Sequence, residues 1–379
     1  MNKLGQRYIS VKKPKRLLPG ISVCMIVKNE DKNLNKCLSS VADLVNEVIV
    51  VDTGSTDTTW ELANKLGAKT FKFKWIDDFA AARNFSLCQA TREWILVLDA
   101  DETISFDDHP KIMSVLNKPF DAYLLTKRSY VNRPDLGGFT ANDREYEEAA
   151  EYMGWCAEPN HLLFRNTPKI NYNGIIHETI SDSLINSNAR VAALDVPIHH
   201  YGRWDMSKKE DYYFRMCRIR AKQENTGHAW SVFGAHLDWF GKFTEADECF
   251  TKALELDPEY WQAQFGLGLV NFKRNHMSKA KMYFEEFLTH ASDDLAVANL
   301  IQIYLFENAR DKATELYENS TKGFLPSKVF GQMLLQLRDV GAKSYFKRAL
   351  ELIPTDKEVL LLYNQCLTVR ELSQEALSV

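Results

Sequence analysis

The stretch WILVLDADE, residues 94–102, closes a run of apolar residues with three carboxylates, Asp99, Asp101 and Glu102. A continuous apolar run of strand length, without in/out alternation, reads as a strand buried on both faces. Upstream, EVIVVDTGSTDTT (47–59) follows the same plan, a buried strand that breaks at an acid and a Gly/Ser/Thr turn, and ISVCMIVKN (21–29) is a third such run. Between them lie segments of helical spacing: 30–44, with Leu34, Cys37, Leu38 and Val41 on one face, then about 60–66 and 78–90, with a short strand at KTFKFKW (69–75). Strands alternating with helices predict an α/β domain built on a parallel sheet covered on both faces.

Beyond Ala122 the pattern changes. AYLLTKRSYV (122–131), HLLFRN (161–166), INYNGIIHETI (170–180) and ARVAALDVPIHHYG (189–202) read as strands, and no helix long enough for a crossover separates the last three. They are expected to extend the sheet in antiparallel fashion. From Trp204 the composition is helical. The expected organisation is a basic arm at 1–20, an α/β domain at 21–203, a linking helix at 204–226 and a helical region at 227–379, which suits the two domains that 379 residues allow.

The balance of charge, a formal net -4, gives no electrostatic reason to expect nucleic acid as a partner. Seven cysteines without a C-x-x-C pair predict reduced thiols and a cytoplasmic protein rather than a disulfide framework or zinc site. The N-terminal stretch has basic residues but no apolar core of signal length, and no segment approaches a membrane span, so the chain is not expected to be integral to a membrane. Lys12, Lys13, Lys15 and Arg16 read as a solvated arm in preference to a lipid contact.

In the helical region Trp230, Phe233, Gly234, Leu237, Ala246, Phe250, Ala253 and Pro258 stand at the offsets of a tetratricopeptide repeat. A step of 34 residues brings Gly268, Ala280 and Phe284 under Gly234, Ala246 and Phe250. A further unit from about Leu295 is degenerate, and Ala342, Phe346, Ala349 and Pro354 restore the second half of another. Small residues at these places let helices approach while the aromatic residues fill the space between.

Two constellations carry chemistry on their residue types alone. Asp52, in VVDTGSTD (50–57), ends a buried strand at a tight turn, where open α/β sheets bind ligands and a carboxylate can accept hydrogen bonds from a base or ribose. The bland reading is that Asp52 or Asp57 caps the following helix. Asp99, Asp101 and Glu102 crowd like charges at a strand end, which is costly unless a positive partner compensates. A hard divalent cation, Mg²⁺ or Mn²⁺, completed by substrate phosphates suits a D-x-D there, against the alternative of a plain acidic turn.

The runs ISVCMIVKNE, EVIVVDTGSTDTT, W-x-x-DFAAARN and WILVLDADE together resemble the inverting glycosyltransferases of family 2, over about residues 20 to 203. That resemblance implies a GT-A fold, a Rossmann-like sheet with a D-x-D motif. Joined to tetratricopeptide repeats, the arrangement further resembles bacterial enzymes that glycosylate peptides or proteins, such as bacteriocin S-glycosyltransferases; lipopolysaccharide-core glucosyltransferases share the N-terminal motifs. The resemblance implies a nucleotide-sugar donor, commonly a UDP-sugar, with Asp52 on the base, Asp99 near the ribose, Asp101 on the metal, and Val27, Asn29, Glu30, Ser55 and Ala100 lining the pocket.

Arg83 suits the pyrophosphate, since a guanidinium forks onto two oxygens, or is an ordinary surface helix arginine. An inverting transfer needs a base for the acceptor's proton. Glu178 is the first choice and His177 the second, and on a strand the two would face opposite ways; an ion pair is the bland role for Glu178. His200, of His199-His200, is expected to complete the metal's shell with Asp101, and Arg165 either adds charge near the diphosphate or makes a framework ion pair. The acceptor expected is a peptide or protein side chain, Cys or Ser/Thr, engaged by the repeats, and repeat edges offer a surface for a homodimer. The rivals are a lipid-linked or polysaccharide acceptor, and a non-catalytic adaptor that uses only the repeats.

Overall fold

A computed structural model describes residues 17–202 and 210–367 of the chain. The basic cluster Lys12, Lys13, Lys15, Arg16 and the expected junction at Trp204 lie outside the described residues. The described residues form two compact units: 17–130 with 157–202, and 131–156 with 210–367.

In the first unit the three apolar runs become β1 (Leu18–Val27), β2 (Glu47–Asp52) and, after the short β3 (Lys69–Lys72), β4 (Arg92–Val97). β1 pairs in parallel with both β2 and β4, and β2 with β3. Ile21 to Met25 and Trp94 to Val97 are buried without alternation, as expected of strands covered on both faces. The intervening helices are α1 (Leu34–Ser40), α2 (Thr59–Lys65) and α3 (Phe79–Gln89). Leu34, Cys37 and Leu38 of α1 and Ala80 and Leu87 of α3 join Ile21, Ile49, Ile95 and Leu96 in one core. Each buried leucine or isoleucine among them contributes about 1.5–3 kcal/mol.

The remainder of the unit's sheet comes from β5 (Glu102–Thr103), β6 (Ala122–Val131), then, after β7 (Phe139–Ala141), β8 (Gly154–Arg165) and β9 (Val191–His200). The strand order is β3-β2-β1-β4-β8-β6-β9-β5. β8 runs antiparallel to β4, and β9 antiparallel to β5, in keeping with the expected antiparallel extension. Two expectations need correction. β9 runs parallel to β6, because the chain between them passes through β8 and the helix α5 (Ser181–Asn186) and so has crossover length after all; α4 (His109–Val115) precedes β6. Residues 170–180 are a loop, not a strand: Asn173 and Thr179 close it by reciprocal backbone hydrogen bonds, while Gly174 at φ 97° and His177 at φ 50° turn the chain.

The second unit is a run of helices: α6 (Glu210–Glu224), α7 (Gly227–Trp239), α8 (Phe243–Leu256), α9 (Trp261–Lys273), α10 (Met277–His290), α11 (Asp294–Phe306), α12 (Arg310–Asn319), α13 (Phe324–Gln336), α14 (Ala342–Leu352) and α15 (Lys357–Gln365). The 34-residue register has a direct steric cause. A Cβ at Gly268 would stand 2.6 Å from the Phe284 ring, and one at Gly266 would stand 2.4 Å from Phe250, so each ring takes the volume a side chain would need. Ala342, Phe346 and Ala349 are fully buried, in keeping with their assigned repeat positions. The excursion that carries β7 belongs to this unit: the Gly138 N–H donates to Asp293, whose other carboxylate oxygen caps α11.

Candidate active site

The parallel strands β1, β2 and β4 end at one edge of the sheet. Neighbouring strands lie about 4.8 Å apart, so β2 and β4, on either side of β1, bring Asp52 and Asp99 within about 10 Å of each other in strand spacing. Asp52 is buried, and its Oδ1 accepts the N–H groups of Gly54 and Ser55, both at 2.7 Å. That bond set shapes the turn, where Gly54 at φ 115° needs the glycine backbone, and leaves Oδ2 for a ligand. Asn29 laces the β1 loop to the same turn, donating its N–H to Ser55 Oγ at 3.0 Å and accepting from Thr56 N–H at 2.8 Å. Glu30 docks beside it through its N–H on Thr59 Oγ1, and Thr53 N–H reaches the Val27 carbonyl. Val27, Asn29, Glu30, Asp52 and Ser55 thus share one loop cluster. Asp57 serves the turn instead, accepting from Thr59 and from the Asp31 N–H.

The motif Asp78–Asn84 positions a second group. Asp78 caps α3 through the Ala81 N–H, and Phe79 N–H binds the Ile175 carbonyl. Five residues on, Asn84 grips the Tyr172 backbone with both ends of its amide, at 2.8 and 2.9 Å. The helix therefore holds the 170–180 loop at two points, and with it Glu178. Between those points Arg83 reaches inward. Its Nη2 lies 2.6 Å from Asp99 Oδ1 and its Nε 3.0 Å from Glu178 Oε1, with side chains only 9% and 12% exposed for Arg83 and Glu178. The arginine is no surface residue. Its Nη1 is buried and meets no acceptor among the described residues.

Lys127 of β6 supplies the other positive charge. Its Nζ lies 2.5 Å from Glu102 Oε1 and 3.4 Å from Asp99 Oδ2. Glu102 is fully buried, and its Oε2 accepts the Asp99 N–H, so it props the acidic loop from beneath while Ala100 is buried in the turn. Partial withdrawal from water would raise the Asp99 carboxyl, but the charges of Arg83 and Lys127 prevail and hold it well below the usual carboxylate range. Burial pushes Glu102 up, against the attraction of Lys127. Asp99 is thus committed to two cations from the protein. Asp101 is not.

Asp101 Oδ2 faces His200 Nε2 at 3.5 Å, each side chain about a quarter exposed. Burial would lower the His200 pKa, yet the hydrogen bond and charge of Asp101, with Glu102 behind it, raise it. A Cβ at Gly202 would come within 2.4 Å of His200 Nε2 and 2.6 Å of Asp101 Oδ2, so a glycine is required for the two groups to converge. His199 points the other way, buried, with its Nδ1 on the Tyr130 hydroxyl, as the alternation of a strand demands.

Two expected residues lie elsewhere. Arg165 pairs in register with Trp94 near the start of β4, about 15 Å along the strand from Asp99; its guanidinium stacks on the Trp94 ring at 4.1 Å and donates to the Leu116 carbonyl. It is a framework residue because β8 runs antiparallel and so ends at the opposite edge. His177 is exposed at the turn of the loop, in left-handed backbone, and so does not share a strand with Glu178. Sequence reasoning missed Lys127 and Asn84. The basic pair Lys127-Arg128 in the middle of a strand was the available signal for the first, and nothing but its place after Arg83 marked the second.

A mixed α/β sheet with acids at its carboxyl edge, followed by stacked helix pairs, defines the class: a GT-A-like domain joined to helical repeats. The match to known families agrees. Residues 22–169 match the family described as glycosyl transferase family 2, and residues 240–260 match the tetratricopeptide repeat. The chain therefore carries a family 2 glycosyltransferase domain fused to tetratricopeptide repeats. It is similar to a TPR repeat-containing protein of Synechococcus elongatus, 37% identical over 48% of this chain and 42% of that one. It is also similar to the prophage-derived glycosyltransferase SunS of Bacillus subtilis, 33% identical over 42% of this chain and 34% of that one. The chain thus spans less than half the length of these curated relatives. The crystal structure of S. aureus TarS 1-349 matches with a TM-score of 0.34 and 16% identity, over 79% of this chain and 90% of that one, too loose a likeness to carry weight. No helix among the described residues is long and apolar enough to cross a membrane.

Proposed function

We propose that the chain is an inverting glycosyltransferase that moves a sugar from a nucleoside diphosphate sugar, a UDP-sugar by resemblance, to a side chain of a peptide or protein. The observation that carries this reading is the unmatched Nη1 of Arg83, a buried guanidinium donor beside Asp99 and Glu178 at the edge where Asp52 and Asp101 also stand. A buried donor without an acceptor is costly, and an anionic oxygen of a diphosphate is the group it lacks.

The chemistry of the donor set fits a divalent cation, Mg²⁺ or Mn²⁺. Asp101 offers an oxygen and His200 a nitrogen, convergent over Gly202, while Asp99 and Glu102 are neutralised by Arg83 and Lys127. When bound, such an ion stabilises negative charge gathering on the leaving diphosphate. The chain's own part is as follows. Asp52 Oδ2 and the turn 53–56 receive the nucleoside; Arg83 neutralises a diphosphate oxygen; Glu178, oriented through its Oε1 by Arg83, presents Oε2 as base. The bond from the sugar's anomeric carbon to the diphosphate breaks as the bond to the acceptor forms on the opposite face, and the acceptor's proton passes to Glu178.

The fused repeats support a peptide or protein acceptor, since stacked helix pairs make extended surfaces for peptides. The test is intact-mass detection of a hexose-sized increment on candidate peptides, with a panel of nucleotide sugars and Mn²⁺. Modified peptide with wild type and none with Arg83→Met supports the reading. Equal modification by a folded Arg83→Met protein contradicts it.

A further inference from the structure

We infer that Ser129 and Glu158 decide which ring nitrogen of His200 carries its proton, and thereby keep Nε2 open toward Asp101; this rests on the reading of Asp101 and His200 as cation ligands. Ser129 lies on β6 as the register partner of His200 on β9, and it is fully buried. Its Oγ is 2.6 Å from Glu158 Oε1 on β8 and 2.8 Å from His200 Nδ1. A hydroxyl has one proton to give, and a carboxylate has none. The Ser129 proton is therefore committed to Glu158, and the serine oxygen can only accept from His200.

Nδ1 must then bear the hydrogen in either charge state; the charged ring also presents an Nε2–H to Asp101, and loss of that proton leaves Nε2 as a lone pair. That lone pair faces Asp101 Oδ2, itself an acceptor, at 3.5 Å. Two acceptors turned toward each other form a place for a cation, and a second partner on the far nitrogen is the usual way a ligating imidazole is oriented. Without Glu158 the Ser129 hydroxyl is free to donate to Nδ1. The ring proton then moves to Nε2, where it points at Asp101 and closes the place. Ser129 and Glu158 are thus positioning residues, acting on the site only through His200.

Glu158 is exposed, so Glu158→Ala tests the relay with little risk to the fold, and Ser129→Ala breaks it at its buried centre. The readouts are ¹⁵N shifts of the His200 ring in the full chain without metal, at alkaline pH where imidazole is neutral, assigned by the signals lost in His200→Gln, and Mn²⁺ affinity by electron paramagnetic resonance without donor. Wild type should carry the proton on Nδ1. Glu158→Ala should move it to Nε2 and weaken Mn²⁺ binding by about 10- to 100-fold; Ser129→Ala should give a mixture of the two tautomers. An Nε2-protonated wild type, or an unchanged tautomer in both variants, overturns the inference. If the tautomer shifts as described but wild type binds no Mn²⁺, the relay stands and the cation reading of Asp101 and His200 falls.

Discussion

Asp101 and His200 approach to 3.5 Å, one on the loop between β4 and β5 and the other at the end of β9, and a Cβ at Gly202 would collide with both. Gly202→Ala should therefore part the pair while the rest of the sheet stands. We expect Mn²⁺ affinity, read by calorimetry, to fall by about tenfold or more, the scale of a displaced ligand partner. Circular dichroism should be unchanged; equal Mn²⁺ affinity in the alanine variant would show that the convergence does not matter.

Arg83 bridges Asp99 and Glu178, and only a planar fork reaches both. Arg83→Lys retains the charge but satisfies one carboxylate at a time, so its activity should fall with the Arg83→Met variant rather than remain near wild type. Removing the charge altogether strands two acids, at a cost on the order of 3 kcal/mol, moderated because Asp99 is about a third exposed. Denaturant midpoints and turnover for the two variants give the comparison.

Lys127 is the counter-ion of a fully buried carboxylate. Lys127→Met should cost about 3–5 kcal/mol, and adding Glu102→Gln should recover much of that, since the stranded charge is then gone. Additive losses in the double-mutant cycle would mean the pair is not coupled.

Glu47 supports the opposite edge of β2. Its buried carboxylate accepts from Ser22, Thr91 and Lys69; burial raises its pKa, but these donors together lower it below the usual value. A carboxyl whose pKa is depressed by folding stabilises above its unfolded pKa, about 4.3, and that contribution disappears as pH falls through the folded value. Glu47→Gln should accordingly cost about 1.5–3 kcal/mol at pH 7 and much less in the acid range. A gap between wild type and variant that is constant from pH 7 to pH 3 would contradict this.

Much of this was legible in the sequence because β1, β2 and β4 are buried on both faces, which writes them as unbroken apolar runs with their acids at the ends. The repeats were legible for a steric reason, Gly268 lying under Phe284 as Gly234 lies under Phe250. What escaped was set by long-range pairing. The parallel union of β6 with β9 depends on a chain path that local spacing does not encode, and the antiparallel course of β8 carries Arg165 away from the acids. His177 and Glu178 looked like strand neighbours because Gly174 gave little notice that the loop would close on itself. Lys127, next to Arg128, reads as half of an ordinary basic pair in a strand until Glu102 and Asp99 are seen beside it.

The central claim is that Asp101 belongs to a working cation and diphosphate site, and the most direct measurement is Mn²⁺-dependent cleavage of a nucleotide sugar by wild type and by Asp101→Ala. The account predicts release of nucleoside diphosphate by wild type that chelation abolishes, and a fall of about 10²–10³-fold in the folded variant. Undiminished, Mn²⁺-dependent cleavage by folded Asp101→Ala would contradict it.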